Sequence, residues 1–243
     1  MKEHRGQLGN VHKVIPSQMS QNMFAVGHVA YGYILAKATG KAVKTDIHTP
    51  LVLALSIAPD LDLLIRGLTH RGISHSVILA LLFSTPFLLK YRAKALPYLV
   101  ATVQHSLLGD YLTGGAHLLS PLTTRTIGLD LSVYGQENLI LECTGFILLM
   151  LVLIHSRDYS RLLKPNMENL LLIIPAVATL TPFYTSRRYV PVPVILLIPS
   201  LGLLILYALS ILSLPAHAIK QLVHKAPKPR LDHPSSGGHQ LSP

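Results

Sequence analysis

Apolar runs alternate with short polar links along this chain, at residues 24–38, 50–65, 74–91, 95–112, 139–155, 169–184 and 190–214. None shows the two-residue alternation of barrel strands, and lipid-exposed backbone must satisfy its own hydrogen bonds, so each run predicts a helix. A helix needs about 20 apolar residues to cross a bilayer core, with about 17 as a minimum. The last run is ample and several are marginal. The first is short and predicts a tilted, partly buried or half-spanning helix. The fold class expected is therefore all-α, a polytopic transmembrane bundle of about six to seven membrane helices. Residues 1–22 are polar and lack the apolar core of a secretory signal, while Met19 and Met23 offer alternative starts. Residues 23–214 form the expected membrane-embedded domain. Residues 215–243, rich in Pro, Gly, Ser and Lys, predict a disordered tail.

Composition agrees with the pattern. Half of the 243 residues are hydrophobic and 13% are charged, against about 25% charged in soluble domains. The net charge of +10 does not point to nucleic acid, because the basic residues sit in clusters between apolar runs and form no stripe or DNA-binding motif. They read as topology signals. If all seven runs span, Lys37, Lys41, Lys44, Lys90, Arg92, Lys94, Arg157, Arg161, Lys164 and the tail basics share one side. That richer side is expected to be cytoplasmic, which turns the link between the second and third helices outward. The single cysteine, Cys143, permits no intramolecular disulfide.

Ionisable residues inside apolar runs are costly, so each is a candidate functional residue. They are His28, Asp60, Asp62, His75, His105, Asp110 and Glu142, with His70 and Arg71 in the adjoining link. Under the topology above all fall at the outward ends of their helices, which suggests one shared site. Asp60-Leu-Asp62 follows Pro59, a plausible helix break. His70 and His75 flank Gly72, where a tight turn can bring the imidazoles together. Mixed His and Asp donors suit Zn²⁺, with Mn²⁺ or Fe²⁺ as alternatives, and the number of donors allows one or two ions. His28 reads either as a ligand or as a packed histidine, and Glu142 either as a site residue or as an interfacial one. Arg71 and Arg125 either neutralise an anionic substrate or snorkel toward water.

Taken together, "GHVAYG", "APDLD", "HRGISHS" and "HSLLGDYLTGGAHLLSP" resemble the membrane-bound metal-dependent hydrolase family, whose members include LexA-regulated inner-membrane hydrolases. The resemblance runs over residues 26–122. It implies metal roles for His28, Asp60, Asp62, His70, His75, His105 and Asp110, with Asp60, Asp62, His75 and Asp110 also catalytic. Two positions depart from the family pattern. The family spaces its fourth-helix His and Asp four residues apart, and here His105 and Asp110 are five apart. On an α-helix four residues turn about 40° past a full turn and five about 140°. Either a π-bulge at Gly109 restores a common face, or only one of the pair is a ligand. Ser120 also stands where the family often has tryptophan.

The function expected is a membrane-embedded metal-dependent hydrolase, its site on the non-cytoplasmic side of an inner membrane. It would act on an ester or phosphoester of a lipid or lipid-linked substrate. A divalent-metal transporter and a non-catalytic membrane scaffold are the alternatives. Expected partners are the bilayer and a small-molecule or lipid-type substrate, with no nucleic acid.

Overall fold

The computed structural model describes residues 23–184 and 191–225. The expectations for residues 1–22 and for the tail beyond 225 lie outside the described residues. Among those described, every regular element is a helix, and a long, mostly non-helical segment joins Asp110 to Gln136. Its one β feature is an isolated bridge between Ala116 and Ile127.

Helix α1 (Ala25–Ala42) is the axis of the bundle. Its 18 residues span about 27 Å at 1.5 Å per residue, longer than the apolar run alone predicted. Nine of them are buried, among them Gly27, Ala30, Gly32, Ala36 and Gly40. Small side chains of this kind let neighbouring helices approach closely. Helices α2 (Thr49–Leu55), α4 (Leu96–Gln104) and α5 (Gln136–His155) pack on it. Helix α3 (Val77–Tyr91) packs on α4, and none of its residues is buried. The short α6 (Asp158–Leu162), then α7 (Ile173–Tyr184) and α8 (Val194–Lys225), complete the described fold.

Two helices, Gln136–His155 and Val194–Pro215, are long and apolar enough to cross a membrane. The other apolar runs yield shorter or broken elements. The run at 50–65 is not one helix, because α2 stops after seven residues and a 3₁₀ helix, Ala58–Leu64, follows with Pro59 in its first turn. Proline fixes φ and lacks the N–H that an α-helix interior needs, so it opens the new element. Helix α8 passes Pro215 and reaches Lys225, so it does not end at the start of the predicted tail.

Chain direction sets the two ends of the bundle. Helices α1, α3 and α5 begin at one end, and α2 and α4 finish there. That end carries His28, Asp60, His75, His105, Asp110 and Glu142. The opposite end is tied by Asp158, fully buried, which accepts from Tyr33 Oη at 2.8 Å and Lys37 Nζ at 2.5 Å. Burial pushes the Asp158 carboxyl up, but those hydrogen bonds outweigh it and hold the group below its ordinary range.

Candidate metal centre

The turn after α2 separates the two aspartates. A 3₁₀ helix has three residues per turn, so Asp60 and Asp62 point in different directions. Asp62 faces the following link: its Oδ1 lies 2.9 Å from His70 Nδ1, and its Oδ2 accepts from Ser74 Oγ at 2.6 Å. Asp60 faces inward, with Oδ1 at 3.3 Å from His75 Nε2 and 3.2 Å from His105 Nε2. The link closes through a left-handed residue, but it is Arg71 (φ 60°) and not Gly72. Gly72 serves by close approach, since a Cβ there would lie 2.7 Å from the Thr69 carbonyl oxygen.

Helix α4 runs into a π-helical turn, His105–Asp110. A π-turn bonds i to i+5, so residues five apart share a face, and the first of the two alternatives for this pair holds. His105 Nε2 and Asp110 Oδ2 stand 3.7 Å apart, and the same Asp110 oxygen is 3.4 Å from His75 Nε2. Gly109, inside the turn, makes room for His28: a Cβ there would lie 2.1 Å from His28 Cε1. The His28 ring thereby stacks on His105, with centroids 3.8 Å apart and planes within 15°.

Hydrogen bonds fix which ring nitrogens face inward. His105 Nδ1 lies 2.9 Å from the Ser56 carbonyl oxygen. A carbonyl only accepts, so Nδ1 carries the proton and Nε2 is left with its lone pair. Ser74 donates its one O–H to Asp62, so toward His75 Nδ1, 3.0 Å away, it can only accept. In the neutral ring His75 Nε2 therefore also presents a lone pair. These two Nε2 atoms are 3.2 Å apart and fully buried. Lone pairs so placed repel unless a cation or a proton lies between them.

The donor set fits a divalent cation. His28–Asp60–His105, Asp60–His70–His75 and His75–His105–Asp110 each bring one donor atom per residue within 4.8 Å of the others. Asp60, His75 and His105 each belong to two of these groups, so the groups merge into one cluster of four histidines and two aspartates. Both nitrogens of the buried His28 lack a hydrogen-bond partner, as does Asp110 Oδ2, while Asp110 Oδ1 is paired with Arg71. Orphaned buried polar atoms are costly, and a cation is the partner that imidazole lone pairs and carboxylates share.

Three expected residues take other places. Arg71 is committed within the protein, with Nη2 at 3.2 Å from both Thr113 Oγ1 and Asp110 Oδ1, and Nη1 donating to the Gly115 carbonyl at 3.1 Å. Burial pulls its guanidinium below the ordinary range, against Asp110 and Asp60, which pull it back up. Arg125 lies exposed in the 121–130 segment, away from the cluster. Glu142 caps the start of α1, accepting from the backbone N–H of Phe24 at 2.8 Å and of Gly27 at 3.3 Å. The first N–H groups of a helix have no partner inside it, and a carboxylate suits the positive end of the helix dipole. Glu142→Ala is expected to destabilise the protein by about 1–3 kcal/mol, whereas Glu142→Gln leaves the metal content of purified protein at the wild-type level. Loss of metal in the glutamine variant would return Glu142 to the ligand set.

Sequence reasoning missed Ser56, Ser74, Gln104 and Thr113. Gln104 Nε2 donates to the His28 carbonyl at 2.9 Å, and Thr113 Oγ1 accepts from Met23 N–H at 2.9 Å. Ser74 had a signal, being adjacent to His75. Ser56 acts through its carbonyl, which any residue would supply.

No curated protein and no solved structure matches this chain. A family model described as YdjM inner membrane protein matches residues 23–224, which take in the whole cluster. A membrane location follows from that match and from the two long apolar helices. The chain belongs to the YdjM inner membrane protein family.

Proposed function

We propose that this protein is a membrane-embedded metal-dependent hydrolase with its active site in the His/Asp cluster. The observation that carries the reading is the convergence of the His75 and His105 Nε2 lone pairs on Asp60 Oδ1, beside the orphaned imidazole of His28. His28, Asp60, His70, His75, His105 and Asp110 would hold one or two divalent ions, with Zn²⁺ the first choice for this donor set and Mn²⁺ or Fe²⁺ next. Such an ion supplies Lewis acidity toward a substrate oxygen and makes water a better acid.

The chain's own residues do the rest. Asp62 and Ser74 orient His75, the Ser56 carbonyl orients His105, and Arg71 balances the charge of Asp110. Carboxylate oxygens of Asp60 and Asp110 stand where they can accept a proton from a nucleophilic water. The substrate class that fits a site at one end of a membrane bundle is an ester or phosphoester of a lipid or lipid-linked compound. In this reading the bundle crosses the membrane six to seven times, and the site lies on the non-cytoplasmic side.

The test is a panel of carboxyl esters, phosphomonoesters and phosphodiesters, including lipid phosphates, offered to detergent-purified protein loaded with Zn²⁺ or Mn²⁺. Hydrolysis that a chelator abolishes is the expected result. Metal flux into proteoliposomes without hydrolysis would favour transport, and absence of any bound metal would favour a scaffold.

A further inference from the structure

A cavity of about 690 Å³ lies between α2, α3 and α4, outside the cluster. That size is within the usual range for a ligand site. Its walls are apolar, formed by Leu51, Leu55, Phe83, Phe87 and Leu99. Polar groups gather at one end, where Asp46, Tyr91, Lys94 and Tyr98 line it. Chain direction identifies that end. Tyr91 closes α3, Lys94 lies in the link to α4, and Tyr98 is in the first turn of α4. All therefore lie toward the end of α4 opposite His105, the nearest of them, Tyr98, seven residues away. From Tyr91 back to Ser76, beside the cluster, α3 spans about 22 Å at 1.5 Å per residue. The apolar bore, followed from Tyr91 to Phe83, is about 12 Å deep on the same rise.

Two features of the surroundings identify the occupant. Helix α3 buries none of its residues, and Leu82, Phe83 and Leu89 are 67%, 68% and 76% exposed. In a membrane protein that face meets acyl chains, so the bore opens where such chains are abundant. The mouth is also positive. Lys94 lines it, with Lys90 and Arg92 beside it in the chain, and Asp46 is the acid among the lining residues. Basic residues beside an apolar surface attract anionic lipid headgroups.

We propose that this cavity binds one anionic phospholipid, with an acyl chain in the bore and its phosphate at Lys94 and Tyr91. Because the phosphate sits at the opposite end of α4 from His105, with Lys94 eleven residues from that histidine and about 16 Å away at the helical rise, this lipid is not the hydrolytic substrate. The site stands whether or not the hydrolase reading does. Its apolar end touches Leu55 and Thr102, one residue from Ser56 and three from His105, so the bound chain packs under the segment that orients His105.

The test uses the full-length protein in phosphatidylcholine vesicles containing phosphatidylglycerol with a photoreactive diazirine near the end of one acyl chain. Labelling should concentrate on the peptides carrying Leu55 and Leu99 to Thr102. Lys94→Glu, an exposed substitution, should reduce that labelling about tenfold and leave labelling of α8 unchanged. Leu51→Trp, which fills the bore, should do the same. A diacylglycerol probe with the same chain should label these peptides at least tenfold less. Labelling spread over α3, α5 and α8 according to exposure, equal in wild type and Lys94→Glu, would overturn the proposal. So would equal labelling by the diacylglycerol probe.

Discussion

Asp60→Ala will lower the affinity of the purified protein for Zn²⁺ or Mn²⁺ by at least about 100-fold. Asp60 is the only carboxylate shared by two of the three donor groups, and its Oδ1 faces both His75 and His105. Residues that merely orient a ligand cost about 10–100-fold when removed, so a shared ligand sets the upper end of that range as a floor. Asp60→Asn keeps the shape and removes the charge, and it should lose metal nearly as completely. Asp62→Asn should fall within the 10–100-fold range of an orienting residue, because the Asp62 oxygens are occupied by His70 and Ser74. Titration calorimetry of the metal-free proteins separates the two aspartates. Equal losses at both positions would mean that Asp62 is itself a ligand.

Gly109→Ala will damage the centre without touching a single donor atom. The new methyl group would lie 2.1 Å from His28 Cε1 and 2.4 Å from its Nδ1, and both residues are buried. Either His28 leaves its stack on His105 or the π-turn reverts toward α-helix and swings Asp110 off the shared face. Overpacking of a buried site costs about 1–3 kcal/mol. In a protein of this size each kcal/mol lowers Tm by about 2–4 °C. Metal binding should fall with it. The decisive comparison is the double variant Gly109→Ala with His28→Ala, which should recover most of the lost Tm and none of the lost metal affinity, because the clash is gone and so is the ligand. If the double variant is as unstable as the sum of the single ones, the close approach of Gly109 and His28 is not what shapes the turn.

The donor set was legible because metal chemistry leaves residue types in the chain, and because polar residues in apolar runs are few enough to stand out. His105 and Asp110 were legible as a question. Their five-residue spacing contradicted an α-helix, and the glycine between them marked where a π-turn could form. Other features depended on geometry that a linear pattern does not carry. Asp60 and Asp62 look equivalent in sequence, and only the 3₁₀ turn sends one inward and the other toward His70 and Ser74. Glu142 reads in sequence either as a site residue, because it is charged and lies at the right depth, or as an interfacial one. Its partners are backbone N–H groups more than a hundred positions away, which have no sequence signature. Arg71 reads in sequence either as a substrate contact or as a snorkelling residue, and the left-handed turn instead folds it onto Asp110. Helix lengths were the least legible part. Hydropathy marks apolar stretches but not their ends, so the extension of α1 to Ala42 went unseen, whereas Pro59 marked the break that follows α2.

Metal content by elemental analysis, combined with X-ray absorption at the edge of the bound element, tests the central claim most directly. The account predicts at least one transition-metal ion per chain, ligated by imidazole nitrogens and carboxylate oxygens, retained in Glu142→Gln and lost in Asp60→Ala. A protein that purifies without metal and takes up none at micromolar Zn²⁺ or Mn²⁺ would contradict it.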